Sequence, residues 1–271
     1  MQTRGARKMQ VTYPRCVQRT LRDRVTYCGP AAGGQRRATV VIRPAAPDTG
    51  IRFVCSDAPG GPRTLPVRIE YLGTDGACAT LECPSGVGVC GVGPLLAGLA
   101  ACGIDNAEVG IDGPEAVLPE GGAAALVDAL SGAGTADQAR PLRVIKIERV
   151  IDVNDGPRRA MLRPSSVPHA AISLDARDES AGHHWLAVGL GEVPLRRELM
   201  GSKAGHGGRL TGSEPLRRSL LECVGYLAAA GAPIVGHFLA QNPDHELMRA
   251  LLRALPAQQG SWSLVEVAAV A

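Results

Sequence analysis

One order of elements runs twice along the 271 residues, and that repetition constrains the fold more tightly than any single motif. In the first half, alternating polar and apolar residues predict strands over 38–43 and 50–54, read as a β-hairpin around the turn between them. Further strands are expected over 68–71 and 77–83, joined by a glycine-flanked turn over 73–76. A short helix follows over 95–102, opened by Pro94 and closed by Gly103, because proline suits the first turn and glycine the stop. A strand over 107–111 and a helix over 120–131, stopped by Gly132 and Gly134, complete the set.

A change of composition over 134–141 reads as a linker, after which the same order resumes. Strand-like runs cover 144–153, 159–163, 170–176 and 185–190, and helices are expected over 214–230 and 244–255. Strand-like runs over 233–238 and 261–270 lie between and behind those helices. The prediction is an α+β protein of two similar halves, each a β-sheet layer covered by two helices.

Hydrophobic residues make up 45% of the chain, ample for buried cores, while a net charge of +3 and 3% aromatic residues argue against a nucleic-acid binder. Arg4, Arg7, Lys8, Arg15, Arg19, Arg22 and Arg24 crowd the N-terminus, expected as a solvated, frayed extension, with contact to an anionic surface as the alternative. No apolar run is long enough for a transmembrane segment and no apolar stretch of an export signal follows the N-terminal charges, so a cytoplasmic location is expected. Eight irregularly spaced cysteines are then expected as free thiols, and the lack of a C-x-x-C pair excludes a structural zinc ribbon. The glycine-rich run over 86–93 lacks the Lys-Ser/Thr pair of a phosphate loop.

Several segments carry a resemblance. They are Gln18-Arg19-Thr20-Leu21, the stretch over 42–51 containing Pro44-Ala45-Ala46-Pro47-Asp48-Thr49-Gly50, the run over 96–106 ending in Gly103-Ile104-Asp105-Asn106, and Gly122-Ala123-Ala124. In the second half they are 150–155, 172–175, 217–227 and Asp244-His245. In these segments the chain resembles the UDP-3-O-acyl-N-acetylglucosamine deacetylases, which remove acetate from a lipid A precursor in Gram-negative bacteria with a catalytic zinc. The resemblance implies two domains of similar topology, their helices sandwiched between the sheets and the active site at the domain interface. The expected boundaries are an N-terminal extension over 1–16, domain I over 17–137 and domain II over 138–271.

The chain departs from the family where the chemistry is done. Gly93 stands at the catalytic glutamate and Pro94 at the first histidine ligand; Arg218 stands at the second histidine ligand and Glu222 at the aspartate ligand. Gly33 replaces another site histidine, Ser219 a lysine, and Tyr226 the carboxylate that orients the catalytic imidazole; His245 alone keeps its place. Amide hydrolysis in this family uses a metal to acidify water and polarise the carbonyl. Arginine has no lone pair to offer a dication, so no zinc and no other cofactor is expected.

Arg218 and Glu222, one helical turn apart, are expected to form an ion pair, with an ordinary solvated pair or an anion-binding arginine as alternatives. His245, flanked by Asp244 and Glu246, reads more readily as a capping or surface residue than as a catalyst. His183 and His184 would face opposite sides of a strand, and His169, His206 and His237 have no ligand spacing, so no rebuilt metal site is expected. The stretch over 190–217 is shorter than the family pattern and reads as a flexible loop over 201–208, without the insert that forms the family's acyl-chain passage.

These departures lead to the expectation of a catalytically inactive homologue, not an enzyme, serving as a binding or complex-assembly module. A protein partner or a second copy of the chain, and a sugar-nucleotide or acyl ligand, are the expected companions. The alternatives are a divergent active deacetylase or hydrolase of lipid A biosynthesis or of a related N-acetyl sugar, and a structural subunit of a larger complex.

Overall fold

The structure is a computed structural model, which describes residues 13–31, 36–56, 61–73, 78–83, 86–175, 183–200 and 214–268. The first half contains β1 (Val17–Leu21), β2 (Val25–Pro30), β3 (Arg37–Pro44), β4 (Ile51–Cys55), β5 (Arg63–Pro66), β6 (Leu81–Glu82), β7 (Gly88–Val89), α1 (Val92–Ala101), β8 (Ala107–Ile111), α2 (Gly122–Ala133) and β9 (Thr135–Pro141). The second contains β10 (Arg143–Ile147), β11 (Ile151–Asp155), β12 (Arg158–Arg163), β13 (His169–Asp175), β14 (His183–Gly189), α3 (Glu192–Met200), α4 (Glu214–Ala228), β15 (Ile234–Val235), β16 (His237–Gln241), α5 (His245–Ala257) and β17 (Trp262–Glu266).

The expected repeat is present down to strand order. One five-stranded sheet runs β2-β3-β8-β4-β5 and the other β11-β12-β16-β13-β14, each with a single parallel pair, β4 with β8 and β13 with β16. Even the small side sheets correspond: β1 pairs antiparallel with β9 as β10 does with β17. This is an α+β fold of two halves with one topology.

Several elements differ from the sequence expectation. The strands β3 and β4 form no hairpin, because β8 inserts between them, antiparallel to β3 and parallel to β4. Residues 68–71, expected as a strand, hold a 3-10 turn over Ile69–Tyr71. The strand expected over 77–83 shrinks to β6, and the run over 144–153 breaks into β10 and β11. The stretch taken for a linker is β9, the closing strand of the first half. In the shortened stretch over 190–217, Glu192–Met200 is the helix α3, which the sequence pattern did not predict, and the loop expected over 201–208 lies outside the described residues.

The helices make the middle of the molecule. Going from one sheet to the other, α2 lies on β2, α1 on α2, α4 on α1, and α5 on α4 and on β11 and β12. Helix α1 is buried on nearly all sides, as its unbroken run of apolar and glycine residues requires. Helix α5 instead carries one apolar stripe, Leu247, Met248, Leu251, Leu252 and Leu255, which it turns inward. One continuous hydrophobic core spans both halves.

The basic N-terminus is only partly a surface feature. Arg15 is buried, donating from Nη1 and Nη2 to the Asp105 carboxylate at 2.6 and 2.7 Å and from Nε to Glu192 of α3 at 2.8 Å. Arg19 joins the network through Glu192 and Asp137. Burial works against the Arg15 charge, yet the bonds to Asp105 raise its pKa above the ordinary arginine value, so it stays ionised. Arg4, Arg7 and Lys8 lie outside the described residues.

Candidate functional site

The site grows out of the crossing of α1 and α4. Glycine at both contact points brings the two backbones together: a methyl group on Gly225 would sit 2.3 Å from the Gly93 carbonyl oxygen. Gly93 and Pro94 lie in the first turn of α1, where proline's missing N–H leaves no intrahelical bond unmade. The helix starts at Val92, slightly ahead of the expected 95, after Gly91 in a left-handed conformation.

Helix α4 contributes Arg218, Ser219, Glu222 and Tyr226, which spacing of three to four residues keeps on neighbouring faces. Arg218 is exposed, and Ser219 directs its hydroxyl to the Cys223 thiol. Glu222 leans across to α1. Its Oε2 is buried without a hydrogen-bond partner among the described residues, and burial, only partly offset by the charge of Arg218, raises its pKa. The expected Arg218–Glu222 ion pair is not a direct contact among the described residues; Arg218 acts on Glu222 only as a neighbouring charge.

His245 is the first residue of α5, and the cap is Asp244 instead, whose carboxylate accepts from the Leu247 N–H at 2.9 Å. Asp244 is itself held by Arg158. The capping part of the alternative reading of His245 therefore falls to its neighbour. The imidazole turns toward α4, where the Tyr226 hydroxyl lies 3.3 Å from Nδ1. Tyr226 is buried, and burial pushes its ionisation up to about 12 even though Arg249, buried one turn after His245 on α5, opposes the shift.

The structure thus brings Gly93, Pro94, Arg218, Glu222, Tyr226 and His245 to one place at the interface of the halves, while Gly33 lies outside the described residues. Sequence reasoning missed Arg249, whose signal was a charge set within the apolar stripe of α5. It also missed Cys78, close enough to act on Tyr226 and in hydrogen-bonding reach of Cys90, whose thiol burial pushes up to about 11. A cavity of about 500 Å³ lies elsewhere along the seam, lined by Leu96, Leu99, Val224 and Leu227 together with Arg15 and Asp105; none of the site residues borders it.

These side chains do not suit zinc. Of the three positions that the resemblance aligns with zinc ligands, Pro94 and Arg218 offer no lone pair, which leaves Glu222 as the single donor of that set, and tetrahedral zinc needs three or four. Among the described residues, no group of three or more His, Cys, Asp or Glu is placed to hold a metal ion. His169 and His237 do meet across β13 and β16, ring centroids 6.3 Å apart, but as a pair alone.

Comparison with known proteins bears on what the site is for. The family model described as UDP-3-O-acyl N-acetylglycosamine deacetylase matches residues 18–205. A UDP-3-O-acyl-N-acetylglucosamine deacetylase of Phenylobacterium zucineum is 31% identical over 90% of this chain and 95% of its own length. Proteins of the same name from Myxococcus xanthus and Shewanella sp. (strain W3-18-1) are 27% and 29% identical, each over 92% of this chain. These matches overturn the expectation of a non-enzyme: the relatives carry an enzyme's name over most of the chain, and the replacements do not by themselves show inactivity. Fold, element order and residue matches agree, and the chain belongs to the UDP-3-O-acyl-N-acetylglucosamine deacetylase family.

Proposed function

We propose that the chain is a divergent hydrolase of this family that cleaves the acetamide of an N-acetylated sugar, in lipid A biosynthesis or on a related sugar nucleotide, without zinc. The observation that carries the reading is the Tyr226–His245 contact, which keeps a proton-handling imidazole fixed at the interface where the resemblance places the active site. The family membership adds that relatives of this fold act on an N-acetylglucosamine.

The reaction needs water to add to the acetamide carbonyl, a proton acceptor for that water, and a proton donor for the departing nitrogen. Acetate and a free amine are the products. With its ionisation near 12, Tyr226 is neutral: it donates to Nδ1 of the neutral imidazole, and its oxygen accepts from Nδ1–H once the ring is protonated. In its protonated form His245 then serves as the acid that delivers a proton to the amine nitrogen. Arg218 adds a permanent positive charge that favours the oxyanion formed during water addition.

The test is acetate release by the full chain from UDP-3-O-acyl-N-acetylglucosamine and from simpler N-acetylglucosamine nucleotides, with and without a zinc chelator. The expected result is release that the chelator leaves intact and that His245→Ala lowers by about 100-fold. No release from any of them overturns the hydrolase reading, and release abolished by the chelator overturns its zinc-free part.

A further inference from the structure

The catalytic glutamate position is empty of side chain in sequence, yet it is not empty in space. A Cβ built on Gly93 would lie 2.4 Å from Glu222 Oε2, so the carboxylate of α4 occupies the volume that a side chain at 93 would enter. The next neighbour, the Ala79 methyl group, is 3.4 Å away, ordinary contact. The obstacle to a glutamate at 93 is therefore the other glutamate. Gly225 shows the contrast, since its added Cβ would strike the Gly93 backbone, which cannot swing aside. Glu222 Oε2 also makes no hydrogen bond among the described residues although it is buried, an arrangement that costs stability unless something else uses that oxygen.

We infer that Glu222 has taken over the proton-acceptor role of the missing glutamate, the carboxylate having moved from α1 to α4 at the same point in space. The inference rests on the hydrolase reading above. Water adding to the acetamide carbon gives its proton to the Glu222 carboxylate, the C–N bond breaks as the nitrogen takes a proton from His245, and acetate leaves with the free amine. Gly93 and Glu222 are then one change: the glycine is what makes room for the relocated group.

A relocation series tests this with the full chain and UDP-3-O-acyl-N-acetylglucosamine: wild type, Glu222→Gln, Glu222→Ala, Gly93→Glu and the double variant Gly93→Glu/Glu222→Ala. Acetate release is expected to drop by about 100-fold in both Glu222 variants, and the double variant is expected to recover at least about tenfold over Glu222→Ala. Thermal unfolding supplies a readout independent of turnover. Gly93→Glu is expected to lower the midpoint in the wild-type background and much less in the Glu222→Ala background, the coupling that a shared volume demands. An active wild type whose Glu222→Gln variant keeps its rate overturns this inference and leaves the hydrolase reading standing. A silent wild type overturns that reading and this inference together, and equal thermal costs in both backgrounds overturn the shared placement.

Discussion

At the scale of single residues, the site is a set of replacements that have settled against one another. The least replaceable residue at the helix crossing is Gly225: alanine there would drive a methyl group to 2.3 Å from the Gly93 oxygen and 2.5 Å from its Cα, and two packed helices have to part. Gly225→Ala is expected to cost about 2 kcal/mol, in the range for overpacked cores, read as a lower denaturant midpoint at unchanged slope. Tyr226→Phe removes the hydroxyl's hydrogen bonds to His245 and Arg249, about 1 kcal/mol each, with a visible change in the His245 imidazole resonances as Nδ1 loses that partner. The identities of these residues were legible in the sequence because each falls in a segment with a family pattern. Their relations were not. Four-residue spacing predicted an Arg218–Glu222 pair, yet Glu222 is drawn to α1 by space at Gly93, a vacancy created by a residue far away in the chain. Arg249 escaped notice because its charge interrupts the apolar stripe of α5 without saying what it meets, which is known only once its partner on α4 is placed.

At the scale of elements, what the sequence hides is which strand lies beside which. The runs at β3 and β4 were visible from alternation, and the turn between them resembled a hairpin, but β8 pairs with both and separates them. Periodicity reports a strand's two faces and says nothing of its edges. Helix α3 went unseen for a related reason: Leu195 is its one fully buried side chain, so no stripe announces it, and its attachment runs through Glu192 to Arg15 and Arg19. That attachment is testable. Arg15→Ala would leave Asp105 and Glu192, each 14% exposed, without their shared cation, and breaking a buried pair from one side costs about 3 kcal/mol. The exposed Arg37–Glu120 pair is the control, and Arg37→Ala is expected to leave the midpoint unchanged. Equal losses in the two variants would show that Arg15 fastens nothing.

At the scale of the molecule, the two halves are one topology used twice, joined through α1 and α4 into a single core, and tyrosines report on how that whole comes apart. Tyr27 sits in the first half with its hydroxyl donating to the Val117 carbonyl, Tyr226 at the helix crossing, and Tyr13 beside Arg15 at the seam. Burial raises all three above the ordinary value of 10.0, Tyr13 and Tyr226 to about 12 and Tyr27 further. Below pH 10 these phenols are neutral in both the folded and the unfolded chain, so the preference of the fold for the neutral form is fully available. Above pH 10 the unfolded chain releases protons that the fold retains, and stability is lost progressively as pH climbs toward and past 12. Phenolate absorbance followed beside circular dichroism should therefore show these three tyrosines ionising late and together with loss of the fold. Because they are spread over both halves and the crossing between them, a single coincident step is what one shared core requires. Ionisation of all the tyrosines near pH 10 with the dichroism intact would mean that these rings are open to water and that the core is looser than its packing implies.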